Sequence, residues 1–207
     1  MNTLSVEALE IWRGERQLCR NLSFELGEGE ALRLAGANGA GKTSLMRVLA
    51  GLASPETGQV RWNGRQLADS TEFRRALAYL GHANGLKSNL SPSENLAAQT
   101  AMSQPASPPA IHAALGRLGL EACMHQPCGS LSMGQQRRTA LARLLLADAA
   151  LWLLDEPLTA LDAAGAAVLT SLLHEHLTHG GLVVFATHQS LETGTPRVRE
   201  IMLGAAA

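Results

Sequence analysis

Apolar residues along the chain recur as short runs at 32–35 (with Arg33 inside it), 151–154 and 182–186, with helix-like segments between them. Continuous runs of that length suit strands buried on both faces, so the pattern predicts a parallel sheet covered by helices. Residues 4–8, 22–26 and 60–62 are strand-like and lie near turn residues such as Gly27 and Gly64, which predicts an added antiparallel edge. Residues 90–147 carry helical patterning with no convincing strand. The predicted class is therefore α/β, with a parallel core sheet, an N-terminal antiparallel β edge and an inserted helical subdomain, all within one domain over 1–207. Ser91-Pro92-Ser93-Glu94 marks the entrance to that subdomain, with an N-cap serine, a proline at the first helical position and a capping-box glutamate in register. Residues 103–109, with three prolines and two serines, read as a loop that ends the helix.

Composition narrows the function classes. With 46% hydrophobic and 17% charged residues the chain can bury a core. Seventeen basic against eighteen acidic residues leave a net charge of -1, so nucleic acid is not an expected partner. Cys19, Cys123 and Cys128 are too few for a disulfide framework and fit a reducing compartment. Residues 1–16 lack the basic-then-apolar layout of a signal peptide. The richest apolar stretch, 144–154, is broken by Asp148 and is shorter than the roughly 20 residues that cross a bilayer. Docking onto a membrane supplied by another chain remains open.

Gly36-Ala37-Asn38-Gly39-Ala40-Gly41-Lys42-Thr43 follows an apolar strand and precedes a helical pattern, the context that a Gly-x4-Gly-Lys-Ser/Thr phosphate loop needs. Glycines let the backbone fold round an anion, successive N–H groups point at phosphate, Lys42 adds positive charge, and Thr43 can ligate magnesium. The loop is shared by GTPases, kinases and motor ATPases, so it does not choose among them. Leu151-Trp152-Leu153-Leu154-Asp155-Glu156 is a strand ending in two carboxylates at the sheet edge where open α/β folds place their chemistry. Asp155 is expected in the magnesium shell, and Glu156 as general base or water-positioner for in-line attack on a γ-phosphate.

Leu131-Ser132-Met133-Gly134-Gln135-Gln136 opens a long helical pattern, with Ser132 as N-cap and Gln135 placed to close a capping box. Here the sequence resembles the ATP-binding cassette (ABC) family, whose Leu-Ser-Gly-Gly-Gln signature it reproduces with Met133 in place of the first glycine. Lys42 to Ser132 spans 90 residues, Ser132 to Asp155 spans 23, and Asp155 to His188 spans 33, in the order that family uses. Leu161-Asp162 resembles its D-loop, and Thr187-His188 its switch histidine. The resemblance implies a P-loop NTPase fold and an ATP- and Mg-dependent hydrolase. It also implies a head-to-tail homodimer in which Ser132, Gly134 and Gln135 face the nucleotide of the second chain, while His188 contacts the γ-phosphate.

Two positions depart from the family pattern. His82 stands where most cassettes carry the Q-loop glutamine; its imidazole still offers one ligand atom and one donor. Where an aromatic residue usually stacks on adenine, Arg13 falls at the expected offset with Trp12 just before it, and either side chain can stack.

Within the family, Tyr79-Leu80-Gly81-His82 with Gly85-Leu86-Lys87, the Arg137-Arg138 continuation of the signature and Thr187-His188-Gln189 resemble the branch serving c-type cytochrome biogenesis. That branch implies a peripheral subunit on the cytoplasmic face of the bacterial inner membrane, paired with an integral CcmB-like subunit and further cytochrome c maturation membrane proteins. Its hydrolysis would drive haem export or release of a haem chaperone; a cassette of another exporter or importer is the alternative. Cys123, Met124, His125 and Cys128 match no standard haem or metal spacing and read as packing residues.

Overall fold

The two apolar rhythms become two sheets. The computed structural model describes residues 1–67, 70–101, 104–188 and 197–204. Strands β1 (Thr3–Arg13), β2 (Arg16–Gly27), β4 (Thr57–Trp62) and β5 (Arg65–Gln66) form an antiparallel sheet in the order β2-β1-β4-β5. Strands β3 (Ala31–Ala35), β6 (Leu77–Leu80), β7 (Leu151–Asp155), β8 (Leu182–Ala186) and β9 (Val198–Met202) form a parallel sheet in the order β6-β7-β8-β3-β9.

Alternation along the central strands shows why continuous apolar runs were required. Leu151 and Leu153 pack with Leu182 and Val184 into the core shared with the antiparallel sheet and α1 (Lys42–Leu49). Trp152 and Leu154, with Val183 and Phe185, face a second core closed by α5 (Met133–Leu146) and α6 (Ala163–Thr178). A side-chain period of two thus sends neighbouring residues into different cores, and both must be apolar. Each fully buried leucine adds about 2 kcal/mol relative to exposure.

The antiparallel edge runs further than the sequence pattern indicated. β1 continues past Ala8 to Arg13 because the backbone bulges there: Ala8 takes φ 46 and the pairing slips between Val6 and Leu9. One extra residue inverts the alternation, so the pattern breaks where the strand only changes phase. Gly58 fits against this bulge, and a Cβ at Gly58 would lie 2.4 Å from the Ala8 carbonyl oxygen.

Residues 92–146 hold α3 (Pro92–Thr100), α4 (Pro108–Arg117), two 3-10 turns (Glu121–Cys123 and Cys128–Ser130) and α5, with no strand among the described residues. Ser91 caps α3 with the reciprocal Glu94 bond, as expected. The expected loop at 103–109 is shorter: α4 begins at Pro108, capped by Ser107, because proline in the first turn lacks only an N–H that no helix bond uses. Ser103 itself lies outside the described residues. Cys123, Met124 and Cys128 are buried in the core of these helices. No helix among the described residues is long and apolar enough to cross a membrane.

At the opposite end of the sheet from its carboxyl edge, His176 of α6 stacks on Trp152 with ring centroids 3.9 Å apart. Burial drives its pKa from 6.5 down to about 4, against backbone hydrogen bonds at Leu182 and Ala150 that act the other way. The unfolded chain therefore takes up a proton at His176 near pH 6.5, whereas the folded chain does so only near pH 4. Stability is fully present above that window and falls with pH inside it, by about 3 kcal/mol in all. Thermal melts from pH 7 to pH 4 are expected to show this acid loss, and a His176→Phe variant, which keeps the stack but cannot titrate, should show a shallower one. An equal loss in both would assign it elsewhere.

Candidate active site

Strand register brings four chain segments to one edge. Leu80 pairs with Leu154, Asp155 with Ala186, and Leu34 with Ala186, so β6, β7, β8 and β3 end level. The residues that follow those ends are His82, Glu156, His188 and the glycine-rich loop. They meet in a cleft of about 540 Å³ whose lining includes Arg13, Asn38, Lys42, Thr43, Asp155 and Glu156, with His82 and His188. Arg13 arrives from the end of β1, beyond three shifts in the β1–β2 register; half-exposed Trp12 is not part of the lining.

The loop between β3 and α1 is shaped by close approaches. A Cβ on Gly36 (φ 145) would sit 2.6 Å from the Leu203 carbonyl oxygen, and one on Gly41 (φ 103) 2.9 Å from Leu18 Cβ. Both positions need glycine for space as well as for conformation. Gly36 and Ala37 supply carbonyls rather than lining: Lys42 Nζ donates to Gly36 O at 2.7 Å and to Ala37 O at 3.1 Å. Ala40 is buried beneath the loop, while Asn38, Gly39 and Gly41 face the cleft.

Helix α1 differs from the others in how it starts. Helices α2 (Thr71–Ala76), α3, α4, α5 and α6 begin with a serine or aspartate whose side chain accepts a first-turn N–H. At α1 the cap is Gly41, no side chain accepts, and no acidic residue lies in the first turn. The orphan N–H groups and the positive end of the helix dipole are thus left facing a cleft that holds Lys42. A bound anion is what completes such a terminus.

The carboxylates take different roles. Asp155 is buried, and its Oδ2 accepts from Thr43 Oγ1 at 2.7 Å, tying β7 to α1. Glu156 is one residue beyond the strand with φ 49, a left-handed backbone that is costly for a residue with a side chain. Its N–H donates to Ala186 O at 2.8 Å. Its Oε1 lies 3.3 Å from His188 Nε2, which is also 3.3 Å from Lys42 Nζ. An ammonium only donates and a carboxylate only accepts, so a single Nε2 satisfies one of these neighbours at a time, according to its tautomer.

Ser132, Gly134 and Gln135 are not among the cleft's lining residues. Ser132 Oγ accepts from Gln135 N, and Gln135 Oε1 from Ser132 N, which closes the expected capping box. Gly134 approaches the D-loop turn, where an added Cβ would be 2.9 Å from Ala160 O, and Met133 is 66% exposed beside it. Asp162 caps α6 by accepting from Gly165 N at 2.8 Å. Gln189 lies outside the described residues.

Leu18 and Thr159, which also line the cleft, were not expected from sequence. Neither belongs to a motif; Thr159 follows the strained turn and donates its N–H to Glu156 O. Arg137 was missed as well. It is 2% exposed and reaches the backbone of Asp155, Glu156 and Pro157 from α5. Desolvation pulls its pKa down, opposed by the charges of Asp155 and Glu156.

Comparison with known proteins bears on this geometry. Residues 19–159 match the ABC transporter family model. A cytochrome c biogenesis ATP-binding export protein, CcmA, from Pseudomonas putida KT2440 is 48% identical over 97% of this chain and 96% of its own. The CcmA of Dechloromonas aromatica RCB is 46% identical over 97% of this chain and all of its own. Among solved structures, a dimeric ATP-binding cassette in a post-hydrolysis state with ADP and Pi superposes with a TM-score of 0.85. It covers 97% of this chain and 96% of its own at 22% identity, so it speaks for the fold. The uncapped α1, the Thr43–Asp155 pair and the family match agree, and the chain belongs to the ABC transporter family.

Proposed function

We propose that this chain is the ATP-hydrolysing, energy-coupling subunit of an ABC complex in c-type cytochrome biogenesis, acting in haem export or in release of a haem chaperone. The observation that carries the nucleotide reading is the one α-helix N-terminus among the described residues without a side-chain cap, facing the cleft that holds Lys42, Glu156 and His188. The names of relatives near half identity support the cytochrome assignment.

The triphosphate occupies the glycine-rich loop, with α1 N–H groups and Lys42 on its oxygens. Lys42 then exchanges the Gly36 and Ala37 carbonyls for phosphate. Glu156 orients the attacking water and accepts its proton, and His188 donates to the terminal phosphoryl group as charge builds there. Arg13 lies under the base. His82 reports the state of the phosphate to the loop that leads into α3.

Thr43 and Asp155 offer a hydroxyl and a carboxylate 2.7 Å apart in the cleft, hard oxygen donors of the kind magnesium takes alongside phosphate. Magnesium would be held by those two groups and would neutralise charge on the phosphate oxygens.

Ser132, Gly134 and Gln135 lie outside their own chain's cleft, which supports a head-to-tail homodimer with each signature over the partner's nucleotide. The pair sits on the cytoplasmic face of the inner membrane, peripheral to an integral CcmB-like subunit and further cytochrome c maturation membrane proteins. Deleting the gene is expected to remove c-type cytochromes while other haem proteins persist. Intact c-type cytochromes together with loss of an unrelated transport activity would reassign the cargo.

A further inference from the structure

Arg137 lies one turn into α5, and every hydrogen bond of its guanidinium goes to an uncharged acceptor. Nε donates to Pro157 O at 3.4 Å. Nη1 donates to Gly81 O at 3.1 Å and Asn84 Oδ1 at 3.0 Å. Nη2 donates to Asp155 O at 2.9 Å and Glu156 O at 2.7 Å. A guanidinium carries five N–H groups in a rigid fork, and here five acceptors receive them.

The acceptors belong to two segments that the sheet no longer joins. The β6–β7 ladder ends at the Leu80–Leu154 pair. Beyond it, one strand leads into the 81–84 loop with His82, and the other into the turn with Glu156. Arg137 spans that gap. It also fixes the far side of the Glu156 residue: the N–H is held by Ala186 O, and the carbonyl by Arg137 and the Thr159 N–H. A left-handed φ at a side-chain-bearing residue persists only when its surroundings over-determine it, and these contacts do so.

We infer that Arg137 is a positioning residue for hydrolysis. From the helix that begins at Ser132 and Gly134, it holds the Glu156 backbone in its strained conformation and couples that turn to the His82 loop. Any displacement of the α5 start is then passed to the base and to the sensing loop together. This rests on the reading of Glu156 as the group that acts on the attacking water.

The test compares the full chain with Arg137→Met, Arg137→Lys, Asn84→Ala, Glu156→Gln and the Arg137→Met/Glu156→Gln double variant, measuring kcat, binding of a fluorescent ATP analogue and melting temperature. Misplacing a catalytic group by about 1 Å costs on the order of 100-fold, and a loss of that size in kcat is expected for Arg137→Met, with analogue affinity near the parent's. Arg137→Lys should recover part of the rate. In the Glu156→Gln background, Arg137→Met should cost nothing further, because the group it positions is already disabled. Asn84→Ala removes only the loop arm, should fold as the parent does, and is expected to lower kcat several-fold.

Parental kcat in Asn84→Ala, or losses that multiply in the double variant, would overturn the proposal, as would analogue affinity falling in step with kcat in Arg137→Met. Should Arg137→Met fail to fold, Asn84→Ala and Arg137→Lys decide it. An inactive Glu156→Gln beside a fully active Arg137→Met would remove this proposal alone, whereas an active Glu156→Gln would remove the reading beneath it.

Discussion

Replacing Glu156 by glutamine is expected to lower ATP turnover by 10²- to 10⁴-fold, the span assigned to positioned acid–base groups, with nucleotide still bound. The substitution is nearly isosteric, but an amide oxygen cannot hold the proton that a carboxylate accepts. The contacts that fix residue 156 use its backbone: N–H to Ala186 O and carbonyl to Arg137. The strained turn should therefore survive, and the loss should appear in kcat rather than in affinity. Under the dimer reading the variant should accumulate as an ATP-bound pair, visible by gel filtration with ATP and absent with ADP. Parental turnover would show that the water is activated elsewhere, with His188 the first group to examine.

Lys42→Ala is expected to act on binding instead. Lys42 is buried at the first position of α1, and its ammonium is the one lysine charge lining the cleft among the described residues. Truncating one partner of a buried charge pair costs about 2–5 kcal/mol, so ATP affinity should fall by roughly 30-fold to a few thousand-fold. Alanine is the best helix former, so α1 should persist, and the melting temperature without nucleotide should fall only by what the bonds to Gly36 O and Ala37 O contribute. Equilibrium binding of labelled ATP reads this directly. Parental affinity in the variant would mean that phosphate does not seat at the α1 terminus.

The legible parts of the sequence were those whose chemistry is local. The phosphate loop, the Ser91 and Ser132 capping boxes and the acidic end of β7 are each a contiguous pattern, and each forms as read. What escaped depends on backbone geometry. Residues 9–13 were not joined to the strand pattern because a bulge at Ala8 changes its phase, and Arg13 at the end of this strand lines the cleft. β9 was invisible because it is an exposed edge strand with Arg199 and Glu200 in its middle. Four of the five acceptors of Arg137 are main-chain carbonyls from segments more than 15 residues away. A sequence names side chains, and a convergence of carbonyls leaves no mark in it.

Among the described residues, strand β3, which leads into the phosphate loop, pairs with β8 and β9. Both of its neighbours are therefore translated long after it, from codons beyond position 180. A nascent chain still on the ribosome carries the whole glycine-rich motif but lacks the hydrogen-bonding partners of its strand, and Gly36 has no Leu203 backbone to close against. Full ordering of the strand that leads into the phosphate loop is therefore expected only once residues 182–202 have been made.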